Sequence, residues 1–163
     1  MEEGLLDEQP IEETQQEDIN TVQLCIFQID NEQFAVDILQ VQEIIKPAEI
    51  TRIPATPKFL LGVINLRGII IPIIEIKSFI GMDLTRENEE GEYLVVKDGN
   101  LILGITVVKV LNMVIVPEKN VTIFEEDHPL RVEKYILGQS VVYDKTIYLL
   151  DLHRLIRDTK SAI

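Results

Sequence analysis

The chain has 163 residues, 46% of them hydrophobic, and a formal net charge of −13. That length suits one ordinary domain, or two small ones sharing a core, and can bury about 70% of the unfolded surface without a metal or disulfide. The acidic balance disfavours nucleic acid and anionic membrane as partners, and the single cysteine, Cys25, excludes an intrachain disulfide.

Residues 1–20 carry eight acids and no Lys or Arg, which is −8 of the total charge. So acidic and hydrophobe-poor a segment is expected to stay a disordered tail. It has no basic n-region and no apolar h-region, so no secretory signal is expected. The longest apolar run, Gly68 to Ile76, carries Pro72 and Glu75 and is too short to span a membrane. A soluble, cytoplasmic protein is expected.

Beyond the tail the chain is rich in Ile and Val, whose branched carbons suit a pleated surface. LCIFQI, a turn at Asp30-Asn31-Glu32, and FAVDILQVQEII (Phe34 to Ile45) predict a hairpin running into a further strand. Ile53-Pro54-Ala55-Thr56-Pro57 breaks the chain before a predicted helical turn, Lys58 to Leu61. LGVINLRGIIIPIIEIKSFI (Leu61 to Ile80) then reads as strand, Arg67-Gly68 turn, strand, and an acid, Glu75, opening a short helix. Residues 82–92 are polar and acidic, a linker.

The second half repeats the first. YLVV and a turn at Lys97 to Asn100 lead into LGITVVKVLNMV (Leu103 to Val114), which matches Phe34 to Ile45 at a shift of 69. Pro117 to Lys134 is mostly polar with one apolar patch, Val121 to Phe124, read as a short helix or an irregular loop. LGQSVVYDKTIYLLDLHRLI (Leu137 to Ile156) matches the first LG unit at a shift of 76, with its turn expected at Asp144-Lys145 and Asp151 opening the helix. A duplicated β-module of about 70 residues explains the register, and two packed small barrels are its natural form because closure removes sheet edges.

Reactive groups are sparse. His128 and His153 lie in different segments, and neither stands at metal-ligand spacing from another His or Cys. Glu125, Glu126 and Asp127 lack a glycine-bearing calcium-loop pattern and read as a solvated acidic loop. Cys25 lies in a predicted strand and reads as a small hydrophobe. Ser140 lacks the Gly-x-Ser-x-Gly elbow, and there is no phosphate-binding loop. No cofactor and no catalysis are expected, so a binding module is the better reading. The rivals are a barrel whose NLRG is merely a turn, and an enzyme using His128 with its neighbouring acids.

Gly62-Val63-Ile64-Asn65-Leu66-Arg67-Gly68, followed by Ile71 to Ile76, resembles the signature of the CheW family of bacterial chemotaxis coupling proteins. The order FAVDILQVQEII, TRIPATPKFLLGVINLRG, GITVVKV and YLLDLHRLI is similar as well, so the resemblance covers about residues 21–157. It implies a mainly β fold of two packed five-stranded SH3-like barrels with short helices. The first module would span 21–81 and the second 92–157, with exchange of strands between barrels left open and residues 158–163 a tail. It also implies a non-catalytic adaptor joining chemoreceptor tips to the regulatory domain of the histidine kinase CheA. Such an adaptor is a monomer when isolated and ring-forming in arrays beneath the membrane. The output, flagellar or twitching or gliding, stays open.

By the same resemblance, Asn65, Leu66, Arg67 and Gly68, with Val41 and Glu43, are expected at the receptor and kinase contact. Gly104, Val110 and Met113 are expected in a receptor-facing groove between barrels. Val108 stands where the family often has Asp, and Glu75 replaces a commoner Asp.

Overall fold

The computed structural model describes residues 20–80, 82, 91–125, 127 and 135–162. Residues 1–19, most of the 82–92 linker, and His128 with its neighbours to 134 lie outside that set. Among the described residues, eleven strands and one α-helix carry the fold. The first half supplies β1 (Thr21–Ile29), β2 (Glu32–Asp37), β3 (Val41–Ile45), β4 (Leu60–Leu66) and β5 (Ile69–Ile74). The second supplies β6 (Glu92–Asp98), β7 (Leu101–Val107), β8 (Lys109–Pro117), β9 (Val121–Ile123), β10 (Ile136–Val142), β11 (Lys145–Leu150) and α1 (Leu152–Ala162). Short 3-10 turns occupy Ile38–Gln40, Ile76–Ser78 and Glu118–Asn120.

The strands form two packed sheets, of order β8-β1-β2-β11-β10-β9 and β3-β6-β7-β5-β4. The expected class, mainly β with two packed sheets and short helices, therefore stands. One sheet has six strands because, directly after the 3-10 turn Glu118–Asn120, Val121–Ile123, in the segment expected as a short helix or an irregular loop, pairs with β10 as β9. Its counterpart in the other sheet is a single bridge, Thr51 to Val63.

The duplication is visible bond by bond. Leu60 to Leu66 pairs with Ile69 to Ile74 in the register in which Ile136 to Val142 pairs with Lys145 to Leu150, with the same bulge after the first pair. Glu75 N donates to Phe59 O at 2.7 Å, and Asp151 N to Tyr135 O at 2.7 Å, 76 residues on. The repeated glycine has a steric cause. A Cβ on Gly62 would lie 2.4 Å from Thr51 O, and one on Gly138 2.1 Å from Thr122 O, so only glycine admits the neighbouring chain.

Neither sheet belongs to one half. Every link between hairpins crosses over: β1 pairs with β8, β3 with β6, β2 with β11 and β5 with β7. Each sheet is thus built around a hairpin of one half closed by strands of the other. Two apolar clusters lie inside the sheets, one around Ile26, Ala35 and Ile147, the other around Ile71, Ile73 and Val95. The largest mixes the halves, bringing Phe27 and Phe34 together with Leu94, Ile105, Leu155 and Ile156.

Three local expectations are corrected. The second tight turn is Tyr143-Asp144, since both have positive φ and Lys145 already begins β11. Leu60 and Leu61 are the start of β4, because the close approach of Thr51 at Gly62 extends the strand backwards. Residues 158–162 continue α1 instead of trailing away. The helix buries Leu152, Leu155, Ile156 and Thr159, an i, i+3, i+4, i+7 stripe that carries order past Ile156. Asp151 caps it, accepting from Arg154 N at 3.2 Å. Glu75, its counterpart, makes no capping bond.

Candidate functional site

The site is built at the tip of the β4-β5 hairpin. Arg67 and Gly68 have φ of 51° and 87°, the mirror-image turn that matches strand twist in a two-residue hairpin. Asn65 Oδ1 accepts from Gly68 N at 2.8 Å across the turn. A Cβ on Gly68 would touch nothing, so its glycine answers the backbone angle and not a neighbour.

From this tip the Arg67 side chain reaches Glu43 on β3. Nη1 donates to Glu43 Oε1 at 2.8 Å and Oε2 at 3.1 Å, and Nη2 also pairs with Oε2. The Arg67 side chain remains 68% exposed while that of Glu43 is 22% exposed. β3 and β4 are the two outer strands of their sheet, so the ion pair spans the seam where the sheet curls toward closure. Beneath it lies a cavity of about 220 Å³, lined by Gln42, Leu66, Ile69, Ile71 and Ile102 with the ion pair itself. Ile69 and Ile70, just past the turn, are 54% and 60% exposed. The arrangement offers a charged fork beside exposed aliphatic surface, which suits recognition of another protein.

The other expected residues divide. Val41 and Val110 are half-buried and both pack against the large shared cluster. Val110 N donates to Glu92 Oε1 at 2.8 Å, which fixes the start of β8. Met113, on outer strand β8 opposite Cys25, is 47% exposed. Gly104 is corrected: it is buried in the parallel β5-β7 pairing, where a Cβ would lie 2.5 Å from Ile73 Cδ1. It is a packing position and offers a partner no surface.

A second apolar feature escaped the sequence. A cavity of about 400 Å³ opens at the end of the six-stranded sheet, lined by Val22, Leu24, Val36, Leu137 and Leu149 among others, with Asp37, Gln40 and Glu118 also in its lining. Leu39, in the 3-10 turn beside it, is 79% exposed. The signal was an apolar pair, Ile38-Leu39, between turn residues, and alternation alone gives no sign that one of them faces outward.

The reactive side chains occupy structural places. Cys25 is fully buried, and burial pushes its thiol up to about 11. Ser140 Oγ donates to Asn120 O at 2.9 Å. His153 Nδ1 pairs with Asp98, and its Nε2 lies 3.5 Å from Arg157 Nη1. Among the described residues no three metal-ligating side chains come together, and no helix is long and apolar enough to cross a membrane.

Comparison with known proteins places this geometry. The family model for the CheW-like domain matches residues 23–160. The chemotaxis protein CheW of Klebsiella aerogenes is 29% identical over 141 residues, 86% of this chain and 85% of that one. The CheW of Treponema pallidum is 33% identical over 144 residues, 82% of this chain and 81% of its own. The crystal structure of the scaffolding protein TtCheW from Thermoanaerobacter tengcongensis superposes with a TM-score of 0.74 at 28% identity, over 83% of this chain and 88% of that one. This chain therefore belongs to the CheW-like domain family, whose relatives matched here are chemotaxis proteins.

Proposed function

We propose that the protein is a non-catalytic adaptor of a chemotaxis array in the cytoplasm. It joins the cytoplasmic tips of chemoreceptors to the regulatory domain of the histidine kinase CheA. The observation that carries this reading is the exposed Arg67 fork, held by Glu43 at a barrel seam beside exposed Ile69 and Ile70. A surface ion pair contributes only about 0–1 kcal/mol, so the pair serves register and specificity. Affinity comes from apolar anchors, with Val41, Val110 and Met113 on the receptor side. For the kinase, the apolar end of the six-stranded sheet, with its cavity and the projecting Leu39, has the character of a core-like interface.

Pull-down and titration with a receptor fragment and the CheA regulatory domain test the reading. Arg67→Ala weakens capture by about tenfold or more, equivalent to about 1.4 kcal/mol, with the melting temperature nearly unchanged. Leu39→Asp weakens kinase capture selectively. A chain that melts much lower yet captures both partners normally would refute the role of Arg67.

A further inference from the structure

The two hairpin tips fold alike with one difference. Arg67-Gly68 and Tyr143-Asp144 both hold positive φ at both turn positions, and their strands pair in the same register. In the first tip, Asn65 Oδ1 accepts from Gly68 N at 2.8 Å. In the second, Val141 stands at the place of Asn65, and its side chain has no acceptor. The second turn forms regardless, so the side-chain bond is not what makes this turn.

The bond closes a ring over the four residues from Asn65 to Gly68, and Arg67 lies inside that ring. It holds the peptide from which the arginine side chain departs. That side chain is long, 68% exposed, and must meet both oxygens of Glu43, 24 positions away in sequence. Tyr143, the counterpart of Arg67, is 81% exposed and carries no comparable fork to aim. The lock thus accompanies the tip that has something to orient.

We propose that Asn65 is a positioning residue for Arg67: it pins the turn so that the guanidinium stays on Glu43 and is presented in one orientation. The functional half of this inference rests on the reading of Arg67 as a partner contact. It assigns Asn65 a role through Arg67, with no direct contact to the partner.

Two measurements on the full chain test it. The first is nitrogen-15 relaxation of the Arg67 Nε–H group without partner. Asn65→Val lowers its order, and Asn65→Asp, which keeps an acceptor in place, retains it. Unchanged order in Asn65→Val overturns the proposal whatever the partners do. The second is titration with the receptor fragment and the CheA regulatory domain. Asn65→Val weakens capture about three- to tenfold and adds nothing in an Arg67→Ala background. An equal loss in both backgrounds makes Asn65 a contact in its own right and overturns the proposal. So does a lowered melting temperature with capture intact. Should Arg67→Ala capture both partners normally, the coupling role of Arg67 fails, and the relaxation measurement still decides the positioning.

Discussion

Three glycines of similar appearance in the sequence have three physical causes. Gly68 supplies a backbone angle at an open turn, Gly62 supplies space for Thr51 as well as its φ of 146°, and Gly104 supplies space beside Ile73. Their substitutions are expected to differ accordingly. Gly62→Ala meets a backbone oxygen that cannot yield, so the strand pairing must open. Gly104→Ala meets the end of a flexible side chain and costs about 1–3 kcal/mol, the ordinary range for overpacking. Urea unfolding checks the order: Gly62→Ala is the less stable of the two. Cys25 gives a separate test. Its thiol, raised by burial, stays protonated in the folded chain where the unfolded thiol ionises. Stability is therefore unaffected below about pH 9 and falls as pH rises from there toward about 11. A thiol reagent at pH 8 labels Cys25 slowly in the native protein and rapidly in denaturant. Gly68 was legible as a turn glycine, but the causes of Gly62 and Gly104 were not, because each depends on a chain segment distant in sequence.

At the scale of elements, the hairpins were the most readable part. Apolar residues recur in register, and the turn residues lie between them. The placement of the second turn at Asp144-Lys145 missed by one residue, because Tyr143 gives no turn signal and aromatic residues seldom adopt positive φ. The extent of α1 was also hidden. Its decisive residue is Thr159, fully buried yet polar, which sequence alone assigns to a solvated end. Tyr135 Oη adds a 2.6 Å bond to Asp158 Oδ2. Leu155→Ala, at the centre of the buried stripe, is expected to cost about 2–5 kcal/mol. Removing residues 158–163 is also expected to lower the unfolding midpoint, which a free tail would not do. Calorimetry on the two variants distinguishes a docked helix from a tail. Only the resemblance put Glu43 and Arg67 at one contact, since nothing in their spacing tells that β3 and β4 border the same seam.

At the scale of the whole molecule, the duplication was legible and its crossing was not. Strands of either half have the same alternation and apolar content, so pattern alone cannot say which half a strand joins. The structure answers it, with four inter-hairpin pairings that all cross between halves. It follows that residues 20–81 alone cannot complete a sheet, nor can residues 91–163. Each fragment is expected to show little cooperative unfolding by circular dichroism, and mixing them during refolding is expected to restore it. A half that folds alone with a native-like transition would contradict the crossed pairing.

This crossing also has a mechanical consequence. The nine-residue strands β1 and β8, running the length of their sheet, tie the two halves by backbone hydrogen bonds and not by a hinge. The seam bearing Arg67 and the apolar end bearing Leu39 lie on different sheets of this woven body. The two sheets meet through the buried cluster of Phe27, Phe34, Leu94, Leu155 and Ile156, so turning one relative to the other would open that packing. For the adaptor proposed above, the angle between its two neighbours would be set by that buried packing, so orientation is what it would pass from one to the next.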